Sequence, residues 1–260
     1  WDHVPSAVAP FVSELSLMRV PAHRLLIALL LATLAAIGAG CSADDRATLS
    51  DDRAPLYVAI GASDAVGSGA RDPTREGWVP QLHAKMPGGT RLANLGIGGL
   101  TIDQALEQVL PVAVDLKPTT VTVWLAVNDL AAGIPLDVYR MDLDALLGTL
   151  RQETPARVYV ANLPDLTLLP AFANRDADEL RVEVQRWNEA IAASAQSNDV
   201  VLVDLFTGWQ ELREHPEYIS RDGLHPTSRG YRRLAEIFWN AMTAVQGRQA
   251  AAGAAALSHG

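Results

Sequence analysis

The middle of this chain, residues 55–247, alternates between two kinds of pattern, and that alternation constrains the fold more than any other feature. Short runs rich in apolar and β-branched residues recur, separated by stretches with helical periodicity. Leu56-Tyr57-Val58-Ala59-Ile60 reads as a first buried strand and Arg91 to Leu95 as a weaker second. Val121 to Val127, Arg157 to Asn162 and Val200 to Phe206 read as three more. Strands apolar at nearly every position suit a parallel sheet covered on both faces, because a face open to water would alternate with polar residues. Between the strands, Leu180, Val184, Trp187 and Ile191 step by four, three and four along residues 176–196, one face of a helix. Tyr231, Leu234, Phe238, Met242 and Val245 make a similar stripe on the last helix, with Thr227 or Ser228 as its N-cap. Pro55, Pro118 and Pro155 stand before strands, where a helix must not continue. Five strands with crossover helices predict a three-layer α/β/α sandwich around a five-stranded parallel sheet, in one domain. No internal repeat and no second domain is legible.

The front of the chain reads as an address. Leu25 to Ile37 is an unbroken apolar and small-residue run with only Thr33 polar. As a helix it would rise about 20 Å, short of a bilayer core of about 30 Å. Met18, Arg19 and Arg24 precede it, and Gly38-Ala39-Gly40-Cys41 follows. A positive start, a short apolar core and small residues at its end make a secretory signal peptide over 18–40. Cys41 directly after the small residues resembles the lipidation site of bacterial lipoproteins, although Gly38 stands where a larger aliphatic residue is usual. The expected organisation is therefore a leader or added segment at 1–17, the signal peptide, an acidic tether at 41–54, the domain at 55–247 and an alanine-rich tail at 248–260. The expected location is secreted or anchored to the bacterial cell envelope through a lipid on Cys41.

Charge and cysteine usage remove other classes. The formal net charge is −9, and Lys85 and Lys117 are the only lysines among 21 basic residues. No basic run forms a footprint for nucleic acid, which is not an expected partner. One cysteine cannot make an internal disulfide or a zinc site, and three of the six histidines (His3, His23 and His259) lie at the extremities. No metal or organic cofactor is expected.

Ligands in open parallel sheets bind beyond the carboxyl ends of the strands. The first strand releases Gly61-Ala62-Ser63-Asp64 there, the second Asn94-Leu95-Gly96-Ile97-Gly98-Gly99-Leu100-Thr101, and the third Ala126-Val127-Asn128-Asp129. After the fifth comes Asp222-Gly223-Leu224-His225-Pro226. These are the parts of acyl transfer. A serine hydroxyl needs a base, histidine is matched to that task at neutral pH, and the histidine needs a partner that fixes its tautomer. Asp222, three residues before His225 with Gly223 allowing a tight bend, can reach the imidazole. The N–H groups of Ser63 and Gly99 and the amide of Asn128 are candidate donors to a tetrahedral oxyanion.

At these four blocks the sequence resembles the SGNH (GDSL) hydrolases, across essentially all of residues 56–245. The resemblance maps the family's nucleophile to Ser63, its oxyanion donors to Ser63, Gly99 and Asn128, and its acid and base to Asp222 and His225. It implies a flavodoxin-like α/β/α fold and a serine ester hydrolase working through an acyl-enzyme. Within that family the substrate is a small-molecule, lipid or carbohydrate ester, as in carboxylesterases, thioesterases, lysophospholipases or carbohydrate deacetylases. The lack of an insertion long enough for a lid favours short acyl chains. Two positions depart from the pattern: Ala62 replaces the usual aspartate and Ala126 the usual glycine. Asp64 is expected to take over the hydrogen bonds of the lost acid.

Each block alone has a structural explanation. Ser63 suits a helix start, the glycines a tight turn, Asn128-Asp129 an Asx-type helix start, and His225 a cap of the final helix. The dinucleotide fingerprint fails because Thr101 occupies its third glycine position, and neither a Gly-x-Ser-x-Gly elbow nor a phosphate loop occurs. His83 and His215 read as surface or packing residues. A competing class is a binding lipoprotein that keeps the fold without turnover. The pocket walls are expected in the loops 68–78 and 163–174.

Overall fold

The computed structural model describes residues 54–257, with side chains to residue 244. β1 (Leu56–Gly61), β2 (Arg91–Asn94), β3 (Thr120–Trp124), β4 (Arg157–Ala161) and β5 (Val201–Val203) form one sheet in the order β2-β1-β3-β4-β5. Every neighbouring pair is parallel, as the apolar runs predict. β1 is buried along its whole length, and β3 and β4 at all but their first residues, so helices must cover both faces. β2, at the edge, is the most exposed strand.

The helices that matter for the site are α1 (Ser63–Val66), α2 (Trp78–His83), α3 (Leu110–Asp115), α4 (Val127–Ala131), α5 (Leu136–Glu153), α6 (Ala177–Ser197) and α7 (Ser228–Leu257). α2 packs on α7, while α5 packs on α6 and α3. Trp78 of α2 stacks on Phe238 of α7 with centroids 4.4 Å apart, and meets the Trp124 ring edge-on at 6.0 Å. Since Trp124 ends β3, this aromatic cluster lies directly beneath the loops that leave the sheet. On α5 and α6, Tyr139 and Trp187 make a second ring pair at 4.6 Å.

Element ends differ from the sequence reading for identifiable reasons. β3 stops at Trp124, three residues early, because Ala126 takes φ +99° and α4 follows at once. β5 stops at Val203 because side chains divert the chain into a helical turn at Leu205–Gly208. Asp204 accepts from the Thr207 N–H (3.1 Å), and Asn162 Oδ1 accepts from Leu205 (2.6 Å) and Phe206 (3.2 Å). α6 begins one residue after Asp176, whose carboxylate caps it by accepting from Asp178 and Glu179. α7 continues to Leu257, beyond residue 247 where the domain was expected to end. Its alanine-rich end lacks a core pattern, but alanine is the strongest helix former.

Candidate active site

In a sheet of order 2-1-3-4-5 the connections diverge between β1 and β3, which opens a crevice at their carboxyl ends. Ser63 and Asn128 are delivered to that crevice by α1 after β1 and α4 after β3. Ser63 is the first residue of α1, so the helical ladder does not use its N–H.

His225 arrives from 162 residues away. Its Nε2 lies 2.7 Å from Ser63 Oγ, and its Nδ1 lies 2.8 Å from Asp222 Oδ2. With Nδ1–H donated to the carboxylate, Nε2 carries no proton and accepts from the serine hydroxyl. The other carboxylate oxygen, Asp222 Oδ1, accepts from the backbone N–H of Leu224 (2.8 Å) and of His225 itself (2.9 Å). This three-residue clasp needs the bend at Gly223, where φ is +78° and a Cβ would meet Pro170 Cβ at 3.0 Å. Desolvation raises the Asp222 pKa, but the Leu224 and His225 N–H groups and the imidazole outweigh it and hold the carboxyl well below the usual range. It is therefore charged throughout the neutral range. The segment is anchored on both sides: Ser220 N–H donates to His225 C=O (2.8 Å) and Thr227 N–H to Tyr218 C=O (2.7 Å). Thr227, not His225, caps α7, its Oγ1 accepting from Gly230 N–H.

Ser63, Asn128 and His225 line one cavity of about 50 Å³, together with Trp124, Leu125, Leu166, Leu169, Trp209 and Leu224 among others. Asn128 Nδ2 donates one hydrogen to the Leu100 carbonyl (2.9 Å), which fixes the amide and leaves its second hydrogen for a ligand. Gly99, with φ +76°, is not among the lining residues; it stands on the adjoining loop, one residue before Leu100. Of the expected walls, the loop after β4 supplies Pro164, Leu166 and Leu169, whereas residues 68–78 supply none. Trp209, which no periodicity marked, also lines the cavity.

Asp64 Oδ1 accepts from the N–H of Ala62 (3.2 Å), the position where the usual acid is absent. Burial pushes its carboxyl up to about 7, against the pull of the N–H groups of Ala65, Asp64 and Ala62 and of His225. His83 Nε2 lies 2.7 Å from the Thr90 carbonyl oxygen, while His215 stacks on Tyr218 and pairs with Glu217, so neither reaches the cavity. Among the described residues, no group of three His, Cys, Asp or Glu side chains is placed to hold a metal ion. Cys41 and the Leu25 to Ile37 run lie outside the described residues.

Residues 59–233 match the model of the GDSL-like lipase/acylhydrolase family. The chain belongs to that family. Its members cleave acyl esters, which makes this GDSL-like protein an ester-bond hydrolase. Among solved structures it is similar to LAE5, an α/β hydrolase enzyme from the metagenome of Lake Arreo, at 20% identity and TM-score 0.61, over 72% of this chain and 94% of that one. It is also similar to the psychrotrophic esterase EstA from Pseudoalteromonas sp., at 17% identity and TM-score 0.59, over 74% and 98%. A third is a variant of the acetyl xylan esterase Axe2 from Geobacillus stearothermophilus, at 18% identity and TM-score 0.60, over 72% and 94%. At these identities the likeness speaks for the fold. No curated protein matches the chain.

The residue that sequence reasoning missed is Asp129. It reads as half of an Asx helix start, yet it is fully buried, and its Oδ1 accepts from the Ile102 N–H at 2.9 Å. The sequence offers only an acid beside the apolar run that ends at Val127, which does not by itself tell a buried clamp from a helix start.

Proposed function

We propose that this GDSL-like hydrolase cleaves short-chain acyl esters through a covalent acyl-enzyme on Ser63. His225 Nε2 takes the hydroxyl proton as Oγ bonds to the acyl carbon, and Asp222 stabilises the imidazolium that forms. The carbonyl oxygen becomes an oxyanion facing the N–H groups of Ser63 and Gly99 and the free hydrogen of Asn128 Nδ2. One such donor is typically worth about 3–4 kcal/mol of transition-state stabilisation. Collapse breaks the bond to the alkoxy oxygen, which leaves as alcohol with the proton from His225. Water then repeats the sequence, giving the acid and restoring Ser63.

The observation that carries this reading is the unbroken relay from Ser63 Oγ to His225 Nε2 (2.7 Å) and from Nδ1 to Asp222 (2.8 Å). The preference for short chains is supported by the small, largely apolar cavity lined by Trp124 and Trp209 among others. The competing reading as a non-catalytic binding protein is disfavoured by that relay, which binding alone does not require. Lipid anchoring at the cell envelope is supported by the apolar run Leu25 to Ile37 and the small residues that lead from it to Cys41.

The test is hydrolysis of p-nitrophenyl acetate, butyrate and octanoate by the wild type and by Ser63→Ala and His225→Ala. The expected result is turnover of the two short esters, falling at octanoate, and loss of at least about 10³-fold in both variants. Turnover by Ser63→Ala at the wild-type rate would overturn the mechanism, and preference for octanoate would overturn the chain-length assignment.

A further inference from the structure

The two oxyanion donors that lie outside α1 have to be held at a fixed separation, and local packing does not do this at Gly99. No atom lies within 4 Å of where a Cβ would stand on Gly98 or Gly99. The loop is instead gripped at its ends. Upstream, Gly96 lies so close to α1 that a Cβ there would stand 2.9 Å from Ala65 Cβ and 3.0 Å from Val66 N. Its N–H also donates to Asn94 Oδ1 at 3.1 Å.

Downstream, the grip comes from α4. Asn128 Nδ2 donates to the Leu100 carbonyl and Asp129 Oδ1 accepts from the Ile102 N–H, both at 2.9 Å. Adjacent residues of one helical turn therefore bind the loop two residues apart, just after Gly99. Asp129 does so from a fully buried position, and its Oδ2 has no hydrogen-bond partner. An unpartnered oxygen on a buried carboxyl is unfavourable, and an apolar side chain of similar size would not carry that cost. Burial accordingly raises the carboxyl's pKa, against the N–H of Ile102 and other backbone N–H groups. A purely structural core position has little use for such a group; a position that must pin a backbone N–H does.

We propose that Asp129 is a positioning residue for the oxyanion site, its carboxyl oxygen tying the Ile102 N–H to α4 so that the Gly99 N–H and the Asn128 amide keep one separation. This rests on the acyl-enzyme reading above. Asp129 touches no substrate; it acts through the loop. Its loss should therefore weaken binding of the tetrahedral species while leaving ground-state binding alone, since a donor misplaced by about 1 Å can cost 10²-fold in rate.

The experiment compares the wild type with Asp129→Asn and Asp129→Leu, measuring kcat and KM on p-nitrophenyl butyrate, the inhibition constant of butylboronic acid (which forms a tetrahedral adduct on a nucleophilic serine) and the melting temperature. Asp129→Asn keeps an oxygen for Ile102 and is expected to hold kcat within about threefold. Asp129→Leu is expected to lose about 10²-fold in kcat with KM nearly unchanged. Boronic acid inhibition should weaken by the same factor as kcat/KM. If Asp129→Leu does not fold, Asp129→Ala replaces it with the same expectation. A folded apolar variant with wild-type kcat and boronic acid affinity would overturn the proposal. So would a kcat loss with boronic acid affinity unchanged, or an Asp129→Asn variant as impaired as the apolar one. Failure of the acyl-enzyme reading is distinguishable, because Ser63→Ala would then remain active.

Discussion

Ala126 holds φ at +99° while buried between β3 and α4, a conformation that suits glycine, the residue this family usually places there. Such strain costs about 1–3 kcal/mol, and the added freedom of an unfolded glycine takes back about 0.5–1. Ala126→Gly is expected to raise stability by about 1 kcal/mol in urea unfolding, and a destabilised variant would contradict this. Asp64 gives a second prediction at this scale. Its folded pKa, about 7, lies above an ordinary value of about 3.9, so the folded chain holds the proton more tightly than the unfolded one. The ionisation penalty is thus absent below about pH 4, grows between 4 and 7, and is complete above 7. Asp64→Asn, which keeps an oxygen for the Ala62 N–H, should raise the melting temperature at pH 8 relative to wild type but not at pH 4. An equal shift at both would refute that assignment. The meeting of Ser63, Asp222 and His225 is legible in the sequence because an acyl-transfer relay would demand those residue types at a strand end and at a three-residue spacing. Asp129 is not, because an Asx helix start and a buried clamp look alike until burial is known.

At the scale of elements, what the sequence specifies best is what burial specifies best. The stripe through Leu180, Val184, Trp187 and Ile191 marks α6 to within a residue, with Asp176 as its cap. The ends of β3 and β5 are harder to read because apolar residues continue past them, and what stops the strands is a positive φ in one case and side-chain hydrogen bonds from Asn162 and Asp204 in the other. The Trp78–Phe238–Trp124 cluster joins α2, α7 and the end of β3 beneath the site. Trp78→Ala is expected to cost about 3–5 kcal/mol by leaving a cavity there. Because Trp124 lines the cavity proposed to hold the acyl chain, the variant should also lose discrimination between butyrate and octanoate esters. Retained discrimination in a destabilised variant would separate the cluster's packing role from any role in the site.

At the scale of the whole molecule, periodicity predicts a parallel sheet but not its strand order, since every strand reads alike to its neighbours. The observed order seats β1 beside β3 and puts their carboxyl ends at the point of divergence. There, residues from the loops after β1, β3 and β4 and from around His225 line one cavity, and the loop after β2 adjoins it through the Asn128–Leu100 hydrogen bond. His225, delivered from the far end of the fold, completes a relay that no local segment contains. The most direct test of that long-range meeting is the intact mass of the protein after exposure to a fluorophosphonate. The wild type should gain one phosphonyl group, mapped by peptide sequencing to Ser63. His225→Ala should label at least about 10²-fold more slowly, and Ser63→Ala not at all. An adduct on another residue, or labelling of His225→Ala at the wild-type rate, would contradict the claim that Ser63 is a nucleophile activated by His225.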